Sequence, residues 1–268
     1  MEMQYLGNVV LRGKLKCLTG LHVGGSEEKY EIGGMDNPVI KHPLTGYAYI
    51  PGSSLKGKLR SLTEWALGMV EIKFNEGERK FEAPAHSCGK VDCAICAVFG
   101  CAILSGKEQK LSGPSRLLVR DSVPTEETRR QMDSLEKNHG LPKVEVKSEN
   151  SLDRVTSAAN PRPLERVHAG AEFDMELVYG VYDRDGDGGK ADIENIGVVL
   201  QALRLLEDSS LGGGGSRGSG QVRVHLEATP VVKPVKDYLE GKSAAHAEVK
   251  TVPLSEIKKD AYIGAIKF

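Results

Sequence analysis

The chain is 268 residues long and 40% of its residues are apolar, which is enough to build a packed core and excludes a globally disordered protein. No stretch approaches the ~20 apolar residues that a membrane helix needs, and residues 1–8 lack the apolar block of a signal peptide, so we expect a cytoplasmic protein with no membrane partner. Thirty-six basic residues meet 37 acidic ones, a balance untypical of a free nucleic-acid binder, although a narrow groove needs only a local basic stripe.

The first part of the chain predicts a strand, a loop, a short strand and a helix. Residues 9–18 alternate apolar and polar side chains, which is typical of a half-buried strand with a basic outer face. A loop rich in glycine and charge follows at 19–37, and residues 47–50 predict a short strand. A helix then begins after Pro51, where Ser53 or Ser54 can cap it. Its buried face is predicted to comprise Leu55, Leu59, Leu62, Ala66 and Met69.

The rest of the chain adds two long insertions to three strands and a second helix. Residues 71–113 lack sustained periodicity, which indicates an insertion rather than core, and residues 124–165 are mostly polar, which indicates a projecting excursion. The strands are predicted at 115–123, 172–182 and 221–226, the helix at 193–207, and a glycine loop at 212–220. This order predicts one α+β domain over 1–268 with a ferredoxin-like, RRM-type core.

Four of the five cysteines lie between Cys88 and Cys101, and a tight cluster in a cytosolic chain favours metal binding over disulfides. The pattern His86-x-Cys88-x4-Cys93-x2-Cys96 offers four soft ligands at spacings from which a short loop can build a tetrahedral zinc site. No ligand position is left open for water, so this zinc would be structural. The alternatives are a set of free thiols, or a site in which Cys101 replaces one ligand.

Asp36 lies in the segment Gly33-Gly-Met-Asp-Asn-Pro38, whose glycines permit close approach of the backbone to a ligand. A carboxylate beside a scissile phosphate could position a metal ion or help to deprotonate an attacking 2′-hydroxyl. The alternative is an Asx turn, in which the aspartate only hydrogen-bonds its own loop. The chain has no paired-aspartate motif and no Walker loop, which disfavours a two-metal nuclease and a P-loop enzyme.

The start of the first helix also predicts a phosphate site. Free amides and the helix dipole attract an anion, and Ser53 and Ser54 add hydrogen-bond donors. Lys56 and Arg60 are four residues apart and share a face. The alternative is an ordinary capped helix with a solvated basic face. His22, in a glycine-containing segment, could touch RNA, although a lone histidine usually has no special role.

The glycine loop has three interpretations. Its sequence, LGGGGSRGSG at 211–220, could be an engineered linker, a plain loop, or a loop whose amides approach a phosphate chain while Arg217 supplies charge. Its position between a helix and a strand favours a native loop. Aromatic residues make up only 5% of the chain, so base stacking in the usual RRM manner is not supported.

Several of these segments recur together, in order, in one protein family. They are LHVGG at 21–25, GMDNPVIK at 34–41, YIPGSSLKGKLR at 49–60, CAICAVFG at 93–100, NSLDR at 150–154, PRPLER at 161–166 and the glycine loop. Spanning nearly the whole chain, they resemble the backbone subunit of type III-A CRISPR effector complexes, the Csm-type member of the RAMP proteins.

The resemblance implies that copies of the chain stack into a filament along a guide RNA, together with other subunits of the type III effector complex. It further implies that a thumb-like hairpin within 124–165 interrupts the guide–target duplex, and that Asp36 cleaves target RNA there with a divalent cation, Mg or Mn. The implied guide-RNA contacts are His22, Lys56 and Arg60, and Asp121 matches a strand-end acid of the family. With these three, the residues that we predict to bind RNA are Ser53, Ser54, Arg154 and Arg217. The alternatives are a non-catalytic guide-binding scaffold and a free-standing zinc-loop RNA-binding protein.

Overall fold

A computed structural model of the chain describes residues 2–24, 37–101, 112–242 and 250–268. Within these ranges the strands are β1 (Met3–Cys17), β2 (Lys73–Asn75), β3 (Lys80–Glu82), β4 (Leu117–Val119), β5 (Val123–Pro124), β6 (Glu145–Leu152), β7 (Ala159–Arg166), β8 (Glu172–Arg184), β9 (Val222–Glu227), β10 (Val231–Pro234) and β11 (Thr251–Pro253). The helices are α1 (Gly52–Ala66), α2 (Ala94–Phe99), α3 (Glu126–His139), α4 (Lys190–Glu207), α5 (Val235–Leu239) and α6 (Lys259–Gly264). Among the described helices, none is both long and apolar enough to span a bilayer.

The main sheet has the strand order β11-β9-β1-β8-β4, with β10 also paired to β1 and β5 to β8. Its pairs are antiparallel. Taken along the chain, β1, α1, β4, β8, α4 and β9 form a βαββαβ unit, and the four strands lie in the order fourth, first, third, second. This arrangement is ferredoxin-like, so the predicted α+β fold class is confirmed.

The core lies where α1 and α4 pack together and α4 covers β8 and β9. On β8 the alternating residues Phe173, Met175, Leu177 and Tyr179 are at most 2% exposed. They meet the apolar stripe of α4, which comprises Ile196, Val199, Leu200, Leu203 and Leu206, all fully buried. Both elements were predicted from periodicity, because one face of each must be apolar to form this layer.

The helix α1 buries less of its predicted face than its spacing suggests. Leu55 and Leu59 are fully buried, but Ala66 is exposed and Met69, beyond the end of the helix, is 42% exposed. The predicted strand at 47–50 is also wrong, because this segment makes only isolated bridges to Lys41 and Ser122.

The strand β1 is longer than predicted, and its outer face differs from the expected basic surface. Val10 is 3% and Arg12 is 9% exposed. Arg12 Nε lies 3.2 Å from a carboxylate oxygen of Glu176 on β8. The basic residues of β1 therefore meet acidic residues on the neighbouring strand.

Both predicted insertions contain regular structure. In 71–113, β2 and β3 form a hairpin, and Ile95, Val98 and Phe99 of α2 are at most 4% exposed, so this part of the segment joins the core, contrary to expectation. In 124–165, α3 is followed by the β6–β7 hairpin, each strand of which has eight residues. The domain boundaries themselves stay predictions.

Candidate nucleic-acid interface and metal centre

Three chain segments meet beside the base of the β6–β7 hairpin. Leu21 and Val167, which directly follows β7, exchange two backbone hydrogen bonds of 3.0 and 2.7 Å. The Ile40 N–H donates to the Val23 carbonyl at 2.9 Å, so the segment after residue 37 pairs with the segment before residue 24. Asp36 lies outside the described residues. The described residues on either side of 25–36 are thus fixed next to the hairpin.

Glu165, near the end of β7, connects these segments. Its carbonyl accepts a hydrogen bond from His22 Nδ1 at 2.8 Å, and its N–H donates to the Asn37 carbonyl at 3.1 Å. Its carboxylate accepts from the Val39 N–H at 3.0 Å and pairs with Lys41 Nζ at 2.9 Å. Because a carbonyl can only accept, the proton of His22 lies on Nδ1, and in the neutral ring Nε2 is an acceptor.

The glycine loop packs directly onto His22. Gly212 has a φ of +73°, and a Cβ there would lie 2.0 Å from the His22 carbonyl oxygen. The Gly213 N–H donates to that same oxygen at 2.8 Å. Only glycine fits at position 212 so close to the His22 backbone, so the loop is an integral part of the fold.

Ionic contacts fasten the glycine loop to the hairpin. Arg217 Nε lies 2.5 Å from a carboxylate oxygen of Glu149 on β6, and Lys147 Nζ donates to the Arg217 carbonyl at 2.7 Å. Burial favours the neutral form of Glu149, but Lys147 and Arg217 outweigh it and hold the pKa of this carboxyl below its usual value. A cavity of about 310 Å³ lies here, lined by Glu149, Asn150, Ser151, Arg162 and Arg217.

Arg154 lies apart from this group, in the exposed turn of the hairpin. The Asp153 carboxylate organises the turn by accepting from the N–H groups of Val155 and Thr156. With ~3.3 Å per residue, the eight residues of β6 place this turn roughly 25 Å from the hairpin base.

The start of α1 differs from the predicted phosphate site. Pro51 is the N-cap residue, and no side chain caps the helix, so the predicted serine cap is wrong. Instead the Gly52 N–H donates to the Asp121 carboxylate at 2.7 Å. Sequence reasoning left this role of Asp121 open, because the two residues are 69 positions apart. Ser53 is exposed and Ser54 half-buried.

Lys56 and Arg60 both contact the protein. Lys56 Nζ donates to the Leu117 carbonyl at 2.6 Å and to Ser115 Oγ at 3.0 Å, and burial, followed by the charge of Arg60, lowers its pKa. Arg60 Nε pairs with Glu64 at 2.7 Å. Neither residue takes part in the contacts that link His22, the glycine loop and the hairpin.

His86, Cys88, Cys93 and Cys96 converge, with their ligand atoms all within 4.8 Å of one another. The sulfurs of Cys88 and Cys96 are 3.8 Å apart, and Cys93 Sγ lies 3.4 Å from His86 Nε2. Tetrahedral zinc with Zn–S near 2.3 Å separates two sulfurs by about 3.8 Å. The spacing fits zinc and is far too long for a disulfide. Cys101 contacts Ser87 Oγ at 3.0 Å instead.

The thiols of this cluster differ in acidity. At Cys88 burial raises the pKa, but hydrogen bonds from the Lys90 backbone and from the other three ligands outweigh it and lower the pKa to about 7. At Cys96 burial dominates and raises the pKa to about 12. Burial likewise raises the pKa of Cys93. Thiolates at Cys93 and Cys96 thus need a cation to offset burial, which zinc would provide.

Comparison with known proteins identifies the family and the fold of this chain. The RAMP superfamily matches residues 14–223. The CRISPR system Cms endoribonuclease Csm3 of Methanothermobacter thermautotrophicus is 44% identical over 231 residues, 82% of this chain and 84% of that protein. The Csm3 crystal structure from Methanopyrus kandleri has the same fold, with TM-score 0.61 and 24% identity over 97% of this chain and 98% of that one. A Csm3–Csm4 subcomplex of the type III-A CRISPR-Cas interference complex has TM-score 0.53 and 25% identity over 96% and 97% of the two chains. The sequence-based resemblance is confirmed, and the chain belongs to the RAMP superfamily and, within it, to the Csm3 family.

Proposed function

We propose that this chain is the guide-RNA-binding endoribonuclease subunit of a type III-A CRISPR effector complex, and that Asp36 cleaves the target RNA. The relative from M. thermautotrophicus is named an endoribonuclease, and a solved relative sits in a subcomplex with Csm4. The partners would be guide RNA, target RNA, copies of this chain in a filament, and the other subunits of the complex.

The junction at the hairpin base is the observation that carries the proposal. Asn37, the residue directly after Asp36, is hydrogen-bonded to Glu165, and Glu165 also orients His22. The glycine loop that carries Arg217 packs on His22 through Gly212 and Gly213. A phosphate chain passing this junction would meet glycine amides and the Arg217 guanidinium, which are groups that bind phosphate, while the acceptor Nε2 of His22 could take a hydrogen bond from a ribose hydroxyl.

The chemistry assigned to Asp36 has two forms. Its carboxylate could accept the proton of the attacking 2′-hydroxyl, or hold the divalent cation, Mg or Mn, that we propose for cleavage. Because the chain has no paired-aspartate motif, holding the RNA backbone in line for attack would supply much of the rate.

The remaining proposed RNA contacts differ in how accessible their side chains are. Arg154 lies at the tip of the proposed thumb, and Ser53 and Ser54 lie at the start of α1. Lys56, Arg60 and Arg217 would each have to exchange a protein contact for a phosphate.

We further propose that His86, Cys88, Cys93 and Cys96 hold a structural zinc ion in the 71–113 insertion. Four protein ligands fill a tetrahedron and leave no position for substrate. The ion would pin a segment that has little other structure between β3 and α2.

The deciding experiment is Asp36→Ala in a reconstituted complex with guide and target RNA. We expect target cleavage to fall at least ~100-fold, the scale of a lost acid–base group, while assembly and guide binding persist. Asp260→Ala, at an exposed position on α6, is the matched control. Unchanged cleavage would reject Asp36 as catalytic, and lost assembly would make its role structural. A monomer that purifies free of RNA and partners would favour a free-standing RNA-binding protein.

A further inference from the structure

We infer that the Arg60–Glu64 ion pair on α1 is a positioning device for the metal centre, which fixes the main chain of the ligand His86 before zinc binds. The inference rests on the zinc site proposed above. It assigns two residues of a helix in the ferredoxin-like core to a site that lies in an insertion.

The ion pair holds both backbone polar groups of His86, its N–H and its carbonyl. The His86 N–H donates to Glu64 Oε1 at 3.0 Å, and the His86 carbonyl accepts from Arg60 Nη2. Arg60 Nε donates to the same Glu64 oxygen at 2.7 Å. The three residues thus form a closed ring of hydrogen bonds.

The burial of this ring indicates a purpose other than a surface ion pair. The side chain of Glu64 is 8% exposed and that of Arg60 is 20% exposed. A buried carboxylate is unfavourable unless it is paired and hydrogen-bonded. Here both charged groups direct their remaining hydrogen bonds at one backbone residue, and that residue is a metal ligand.

The other ligands show why His86 needs this support. Cys93 precedes α2 as its N-cap residue, and Cys96 lies within α2, so the core-packed helix places both. His86 and Cys88 lie between β3 and α2, where residues 83–90 have no helix or strand. The helix α2 therefore positions the ligands Cys93 and Cys96, and α1 positions the ligand His86.

Groups that orient metal ligands typically change metal affinity by 10–100-fold when they are removed. Glu64→Ala removes the acceptor for both His86 and Arg60, so we expect zinc affinity to fall by about this factor. Glu64→Gln keeps an oxygen acceptor at the same place, and we expect it to retain zinc affinity within about threefold of the parent. Glu126→Ala, which breaks an exposed i,i+4 pair with Arg130 on α3, is the control and should leave zinc affinity unchanged.

The measurement is zinc competition against a chromophoric chelator, together with thermal unfolding of each variant with and without excess chelator. A residue that only stabilised the fold would lower both unfolding temperatures equally and leave zinc affinity unchanged. We expect the zinc-loaded form of Glu64→Ala to lose more stability than its zinc-free form.

The outcomes separate the two proposals. If the parent protein binds no zinc, the metal site itself is wrong. If the parent binds zinc and Glu64→Ala binds it within twofold, the positioning role is overturned. Should Glu64→Ala not fold, Arg60→Lys decides, because lysine keeps the charge but cannot bond Glu64 and His86 at once; unchanged zinc affinity in that variant would overturn the inference.

Discussion

The ion pair between Arg116 and Asp192 joins the segment before β4 to the first turn of α4, and both side chains are fully buried. Arg116 Nε lies 2.8 Å from Asp192 Oδ2, which also accepts the Tyr182 N–H at 3.1 Å. The other carboxylate oxygen is 3.5 Å from Arg184 Nη2. Replacing Asp192 with alanine would leave a buried guanidinium without a counter-charge and a buried N–H without an acceptor.

The expected loss follows from these contacts. Breaking a buried pair by removing one partner costs about 3–5 kcal/mol, because the remaining charge is uncompensated. At 2–4 °C per kcal/mol for a chain of this size, Asp192→Ala should lower Tm by about 6–20 °C. The exposed pair of Glu126 and Arg130 provides the contrast, since Glu126→Ala should change stability by no more than about 0.5 kcal/mol.

A double-mutant cycle measured by urea and thermal unfolding checks this reasoning. The cycle comprises Arg116→Met, Asp192→Leu and the double variant. The double variant removes both charges and keeps apolar volume, so its loss of stability should be much smaller than the sum of the losses of the two single variants. A loss below about 1 kcal/mol for Asp192→Ala, or additive single losses, would show that the pair is not the electrostatic unit described here.

Three further predictions concern a cap, a titrating carboxyl and the hairpin tip. Thr125 accepts the Thr128 N–H at the start of α3, so Thr125→Ala should lose about 1 kcal/mol in urea unfolding and Thr125→Ser should lose much less. Burial raises the pKa of Glu227, so the folded state loses a stabilising contribution as pH rises from about 4.5 through the raised value. Glu227→Gln should therefore exceed the parent in stability at pH 7 and match it near pH 4, and an equal difference at both pH values would contradict this. Arg154→Ala should leave Tm unchanged. For guide RNA, the negative slope of log affinity against log salt should become shallower by about 0.7, and an unchanged slope would remove Arg154 from the RNA contacts.

Elements with a buried face were predictable from sequence. The alternation at 172–182 predicted β8 (Glu172–Arg184), and the helical spacing at 193–207 predicted α4 (Lys190–Glu207), because each packs one apolar face into the core. The short strands β4 and β5 were merged into one predicted strand at 115–123, because the break between them depends on separate pairings with β8.

The helix α3 was not predicted, although its ends carry recognisable signals. Only Thr128 and Met132 are buried, so it has no apolar stripe to show in a sequence window. Thr125 nevertheless caps its start, two glutamates lie in the first turn, and Gly140 ends it in the left-handed conformation. Capping residues were the signal available here, and periodicity was not.

The candidate site divides in the same way. The zinc ligands were predictable because four of them lie within eleven positions, and the structure brings the same four together. The roles of Glu165 and Glu64 were missed, because the side-chain partners of Glu165 lie 124–143 residues away and His86 lies 22 residues from Glu64, so they become neighbours only through the fold. Lys56 looked like a free cation for the same reason, because its partners Ser115 and Leu117 lie 59 and 61 residues away. The i,i+4 pair of Arg60 with Glu64 was visible in the sequence but was not used.

The near-neutral charge of the chain can be reconciled with RNA binding by where its cations lie. On the face of the sheet opposite to the one that packs on α4, Arg12 pairs with Glu176, and Lys16 lies 3.3 Å from Glu172, so these cations are already matched by β8. An RRM would place stacking aromatics on this face, and this chain has few aromatic residues. The Arg217 side chain is also paired, with Glu149, but it is 60% exposed. The RNA path we propose therefore follows the hairpin and the glycine loop, where a few exposed cations suffice, and does not cross the sheet.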